Sequence, residues 1–167
     1  MNSGKLDILL VEDNQDDMDL VLHALKQGKL ANNIVVARDG EEALDFLFCR
    51  GAFAQRSFEH PPKLVLLDLK LPKVDGMEVL RQVKSDPRTK TIPIVIMTSS
   101  KEERDLAGGY NLGVNSYIQK PVDFDQFRET VKSIGLYWLV VNQPVPTSAS
   151  TSSTPLSSTV MEFVEVE

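Results

Sequence analysis

Cysteine is nearly missing from this chain: Cys49 is the one thiol in 167 residues. A single thiol excludes an internal disulfide framework, and it suits a reducing cytoplasm. Histidine is almost as scarce. His23 lies in a stretch of helical periodicity and His60 just before Pro61, and with no carboxylate partner in view neither is expected to carry phosphate or metal. Long hydrophobic runs are absent as well. No stretch of about 20 apolar residues occurs, and the opening "MNSGKLDILLVEDN" meets acids too soon for a signal peptide, so no membrane span is expected. Positive charge is in the minority, with 18 Lys and Arg against 24 Asp and Glu and a formal charge of −6. Binding to nucleic acid, which relies on bases neutralising phosphates, is therefore not expected. No internal repeat is found. The length fits one domain able to bury its own core without staples.

Along the chain, short apolar runs alternate with longer stretches of helical period. "DILLV" (7–11), "NIVVA" (33–37), "LVLLD" (64–68), "IPIVIMT" (92–98) and "SYIQ" (116–119) read as strands. Their near-continuous apolar character points to a parallel sheet buried on both faces. Between them, residues 15–28 place Met18, Val21, Leu22 and Leu25 on one stripe and stop near Gly28. Residues 39–51, 75–86, 101–113 and 123–139 supply four further helices. Strict alternation predicts right-handed βαβ units in a doubly wound α/β domain, with function at the carboxyl ends of the strands. The connection 51–63 is long and carries two adjacent prolines, so it is expected to run over the surface. Residues 1–141 form the expected domain. The Ser/Thr/Pro-rich stretch that begins at 142 is expected to be disordered. Its end, "MEFVEVE", alternates apolar and acidic residues in a way that suits either an added edge strand or a flexible terminus.

Four strands end in, or run directly into, residues that a merely structural sheet would not need. Glu12 and Asp13 follow the first, Asp68 ends the third, Thr98 ends the fourth, and Lys120 with Pro121 stands just past the fifth. In a parallel sheet these ends share one edge, so side chains distant in sequence converge. Carboxylates brought so close repel unless a cation sits among them. Oxygen ligands without Cys or His fit Mg²⁺, which commonly uses one or two carboxylates together with a phosphate. Asp68 could then act as a nucleophile toward phosphorus. The Lys120 ammonium would stabilise the incoming group and the Thr98 hydroxyl would donate to one of its oxygens.

With these residues in place the chain closely resembles the receiver domains of two-component response regulators, over about residues 5 to 140. The resemblance rests on "ILLVEDN", "LLDLKLPKVDGMEVL" with Asp68, Pro72 and Gly76, "IPIVIMTSS" with Thr98, and "SYIQKPVDFDQF" with Tyr117, Lys120 and Pro121. It implies a flavodoxin-like sheet in the order 2-1-3-4-5 with five helices. It also implies phosphorylation of Asp68 by a histidine kinase, with Mg²⁺ held by Glu12, Asp13, Asp68 and the backbone carbonyl of Lys70. A cis peptide is implied before Pro121, and Thr98 and Tyr117 are implied as the switch pair. The 51–63 loop, the ending "GLYWLVVNQPVP" and the lack of an output domain resemble single-domain regulators of bacterial, especially cyanobacterial, phytochromes. Such relatives imply a phytochrome-type kinase as partner. They also imply a homodimer through the fourth helix, fifth strand and fifth helix.

Lys70 and Ser100 occupy places that tune phosphate lifetime in that family, and neither is an acid or amide that would orient a water; Ser99 replaces a frequent Ala. Gly108 and Gly109 should soften the fourth helix and ease the switch. Cys49, among Phe46, Leu47 and Phe48, reads as a small core residue. Tyr137 and Trp138 suit either the core or a partner surface. No independent turnover of substrate is expected. An aspartate-nucleophile phosphatase would resemble this pattern, but it usually has an Asp where Lys70 stands. A nucleotide-binding domain would need a Gly-rich loop where "EDNQDD" stands. A receiver-like docking module without phosphorylation is the remaining alternative.

Overall fold

The computed structural model describes residues 8–27, 33–98, 113–114 and 116–119, together with 125, 126, 129 and 133. Five parallel strands form one sheet: β1 (Ile8–Val11), β2 (Ile34–Ala37), β3 (Leu64–Asp68), β4 (Ile94–Thr98) and β5 (Ser116–Gln119). Their order is β2-β1-β3-β4-β5, as the family resemblance implies. Three helices are described between them: α1 (Gln15–Gln27), α2 (Gly40–Leu47) and α3 (Gly76–Ser85). The expected helix at 101–113 lies almost wholly outside the described residues. Of the expected fifth helix, residues 125, 126, 129 and 133 are helical.

Each helix start has a local cause. Asn14 Oδ1 accepts from the Asp17 N–H at 3.0 Å and so caps α1, and Asp16 and Asp17 place negative charge against the positive end of the helix dipole. Asp39 caps α2 through the Glu42 N–H at 2.7 Å, and Asp75 caps α3 through the Glu78 N–H at 2.9 Å. Both follow the D-x-x-E spacing of a capping box. In α2 the returning Glu42 carboxylate accepts from the Arg38 N–H, one residue before the cap, at 3.2 Å.

Alternation along the strands divides the core into two layers. Leu9, Val11, Val65, Leu67, Ile94 and Ile96 pack with Ala43, Leu44 and Leu47 of α2 and with Val79, Leu80 and Val83 of α3. Ile8, Leu10, Leu64, Leu66, Val95, Met97 and Ile118 pack with Met18, Val21, Ala24 and Leu25 of α1. β1, β3 and β4 are buried along their whole length, as expected for central strands covered on both faces. Each fully buried Leu or Ile here contributes about 1.5–3 kcal/mol of apolar burial.

Several boundaries depart from the sequence reading. β4 begins at Ile94, not Ile92, and the Pro93 carbonyl accepts from the Val65 N–H at 2.9 Å while its ring nitrogen has no proton to give. α2 ends at Leu47, well short of residue 51, because Cys49 adopts a left-handed backbone (φ 54°) and Gly51 another (φ 59°). Cys49 is thus a half-buried residue beyond the helix, a correction to its expected place in the core. A single 3₁₀ turn, Gly51–Phe53, follows. The 51–63 connection does run over the surface, but it is fastened. Phe53 meets Phe46 edge-on at 5.0 Å. The Arg56 guanidinium lies 3.7 Å over the Phe46 ring, donates to the Phe46 carbonyl, and reaches the His60 carbonyl at 3.2 Å. Burial pushes the Arg56 guanidinium below its usual pKa. Among the described residues no helix is long and apolar enough to cross a membrane.

Candidate functional site

The sheet register brings the site together. Val11 pairs with Leu67, so Glu12 and Asp68 stand side by side one step later. Asp68 pairs with Met97, which sets Thr98 one residue beyond, and Thr98 in turn pairs with Gln119. The acids of β1 and β3 and the threonine of β4 therefore share the carboxyl edge of the sheet.

Glu12, Asp13 and Asp68 each offer a carboxylate oxygen, and these oxygens all lie within 4.8 Å of one another. Glu12 is fully buried, Asp68 is 5% exposed and Asp13 is exposed. Two buried carboxylates and a third at the rim form a concentration of negative charge that a hard divalent cation would offset, and all the donors are oxygens. This chemistry fits a Mg²⁺ or Mn²⁺ site.

Neighbouring backbone orients the acids. The Lys70 N–H donates to Asp68 Oδ1 at 3.2 Å, and the Asn14 N–H donates to Glu12 Oε2 at 3.3 Å. The turn after β3 closes on itself where the Gly76 N–H donates to the Leu69 carbonyl at 2.9 Å. A Cβ on Gly76 would stand 2.3 Å from the Asp68 carbonyl oxygen, so only glycine lets α3 start this close to the end of β3.

Thr98 is buried at the end of β4. Tyr117 is half-buried and packs against the core layer of α2 and α3. Since Tyr117 pairs with Ile96, it shares a sheet face with Ile96 and, by alternation, with Thr98. Lys120, Pro121, Ser99, Ser100, Gly108, Gly109, Tyr137, Trp138 and the stretch from 142 lie outside the described residues. His23 and His60 are exposed.

Sequence reasoning overlooked several residues that shape this edge. Asn14, Asp39 and Asp75 as caps were signalled by their spacing to the following acid or by their place before a helix. The close approach at Gly40 had no local signal, because the opposing backbone at Val74 lies far along the chain; Gly76, named above for the family resemblance, is the residue that meets the Asp68 carbonyl.

The family model for the response regulator receiver domain matches residues 8–132. Response regulator Rcp1 of Synechocystis sp. is 39% identical over 132 residues, 79% of this chain and 88% of Rcp1. The crystal structure of the Mn(2+)-bound form of Rcp1 is similar with a TM-score of 0.75 and 37% identity, over 84% of this chain and 99% of that one. The phosphorylated cyanobacterial phytochrome response regulator RcpA gives a TM-score of 0.76 at 41% identity, again over 84% and 99%. The bacteriophytochrome response regulator AtBRR is 50% identical with a TM-score of 0.68, over 84% of this chain and 100% of its own.

Proposed function

Because this chain belongs to the response regulator receiver domain family, we propose that it accepts a phosphoryl group on Asp68 from a histidine kinase and signals by protein contact or phosphorelay. The observation that carries this reading is the cluster of Glu12, Asp13 and Asp68 within 4.8 Å at the carboxyl edge of the sheet, with Thr98 buried beside it. An Asp68 carboxylate oxygen forms the new bond to phosphorus as the bond from phosphorus to the kinase histidine nitrogen breaks, and the departing imidazole takes up a proton. The Lys70 N–H on Oδ1 fixes the orientation of the carboxylate for that displacement.

Glu12, Asp13, Asp68 and the Lys70 carbonyl would hold Mg²⁺. When bound, the ion supplies the positive charge that offsets both the acids and the transferring group. The Thr98 hydroxyl donates to a phosphoryl oxygen, and Lys120, next in sequence after β5, supplies a second cation. Thr98 moving toward phosphate leaves room for Tyr117 to turn inward, since the two share one face of the sheet.

Names of relatives such as RcpA and AtBRR support a phytochrome-type kinase as the donor. The domain spans residues 1–141, followed by a tail at 142–167, and homodimers form through the fourth helix, β5 and the fifth helix. A cis peptide before Pro121, implied by the family resemblance, is part of the same proposal.

The test is intact mass after treatment with acetyl phosphate and Mg²⁺. Wild type should gain one phosphoryl group, while Asp68→Ala and wild type in EDTA should gain none. A wild type that stays unmodified would return the chain to a docking role without phosphorylation.

A further inference from the structure

The turn from Leu69 to Asp75, which carries the Lys70 carbonyl, is gripped from two sides. α3 closes one side through Gly76. On the other, the first residue of α2 lies against the turn backbone to backbone: the Gly40 N–H donates to the Pro72 carbonyl at 3.3 Å, and a Cβ on Gly40 would stand 1.7 Å from the Val74 carbonyl oxygen. Lys73 completes this contact. Its backbone is left-handed (φ 67°), a conformation that a side chain other than glycine adopts at a cost. Its ammonium reaches back to α2, 3.5 Å from Asp39 Oδ2 and 4.0 Å from Glu41 Oε2. Asp39 thus divides its carboxylate, with Oδ1 capping α2 and Oδ2 facing Lys73.

From this geometry we propose that Gly40 and Lys73 are positioning residues for the metal site. The N-terminal turn of α2 clamps the loop after β3 and so fixes the Lys70 backbone relative to Asp68. The proposal rests on the reading of Lys70 as a carbonyl ligand. The strain at Lys73 is consistent with a shape held from outside, because the turn's own sequence does not favour it. Val74 and Leu71, packed on the α2/α3 core layer, keep the turn from lifting as a whole. What the Lys73 pair adds is therefore the twist of the segment between Lys70 and Val74.

The sign of the effect separates positioning from simple charge. Lys73 is a cation near an acidic site, so deleting it should strengthen the binding of a divalent ion if charge alone matters. Positioning predicts the reverse. The experiment measures Mn²⁺ affinity by electron paramagnetic resonance for wild type, Lys73→Ala and Lys73→Arg, with Mg²⁺ competition and a urea titration of each protein. Lys73→Ala should bind Mn²⁺ about tenfold more weakly, the scale of losses when outer support of a metal ligand is removed. Lys73→Arg should stay near wild type. The urea midpoints should differ little, since the Lys73 side chain is 61% exposed. In wild type, the amide resonances of Asp39 and Gly40 should shift on adding Mg²⁺, and in Lys73→Ala they should not. Equal or tighter Mn²⁺ binding by Lys73→Ala overturns the clamp alone. Failure of wild type to bind Mn²⁺ at all would instead sink the metal reading beneath it.

Discussion

Replacing Asp68 with Asn should make the metal-free protein more stable, although it removes the residue proposed to carry the phosphoryl group. The carboxylate oxygens of Glu12, Asp13 and Asp68 lie within 4.8 Å of one another. At that separation and an effective dielectric of about 20, each like-charge pair costs about 3.5 kcal/mol. Asp13 is exposed and screened by solvent, and Asp68 loses other favourable contacts when its charge goes, so the net gain comes to about 1–3 kcal/mol. Asn retains the shape of the side chain and an oxygen for the Lys70 N–H, now 3.2 Å from Oδ1. The assay is urea unfolding of both proteins at low ionic strength in EDTA, repeated in millimolar Mg²⁺. The variant should have the higher midpoint in EDTA, with a melting temperature higher by several degrees. Mg²⁺ should raise wild type more than the variant, because a ligand stabilises only the state that binds it. A variant less stable than wild type in EDTA would refute the reasoning, since the acids would then not be in unfavourable proximity.

Burial pushes the Lys84 ammonium down from its ordinary 10.5 to about 8, while its Nζ donates to the Ile92 carbonyl at 2.7 Å and the Lys90 carbonyl at 3.0 Å. Between pH 8 and 10.5 the folded protein has released a proton that the unfolded chain still holds, so this group raises stability with pH by up to about 3 kcal/mol and adds no slope below pH 8. The difference in urea stability between wild type and Lys84→Met, measured from pH 7 to 10, should show that slope. Gly76→Ala forces a Cβ to within 2.3 Å of the Asp68 carbonyl oxygen; we expect a loss of about 2 kcal/mol or more and weaker Mn²⁺ binding, read by thermal unfolding and metal titration. Leu67→Ala empties a site buried between β1 and β4 and should lower unfolding free energy by about 2–5 kcal/mol. Arg56→Ala should cost about 1–2 kcal/mol and speed amide exchange in the 51–63 loop while leaving phosphorylation of Asp68 intact.

Much of the fold was legible because the central strands are buried on both faces. Runs such as "LVLLD" and "IVIMT" leave no polar face to mislead the reading, and α1 shows its apolar stripe openly, although Ala24 takes the buried place expected for Leu22, which is only half-buried. The site was legible for a related reason: an acid ending an apolar run has no structural need to be there, and parallel order carries Asp68 to Glu12. The end of α2 was harder. Nothing in "DFLFCRG" separates a continuing helix from one halted by a left-handed Cys49, and Arg56, which packs on that helix end, comes from ten residues beyond Phe46. The contact of Gly40 with Val74 was invisible for the same reason. A glycine after a helix cap reads as ordinary until the opposing backbone is known.

The alternation of strand residues separates the two halves of the proposed event. Glu12 and Asp68 continue the rows of Leu10 and Leu66, which point toward the α1 layer, whereas Thr98 and Tyr117 lie on the side of α2 and α3. In the proposed event charge would be received on one side of a single sheet, and the rearrangement of Thr98 and Tyr117 would fall on the other. The sheet is in this sense a partition with a single opening at its carboxyl rim. Under that proposal a partner seated on α1 would face the acids, while the Thr98 and Tyr117 side would be left for a second molecule to read.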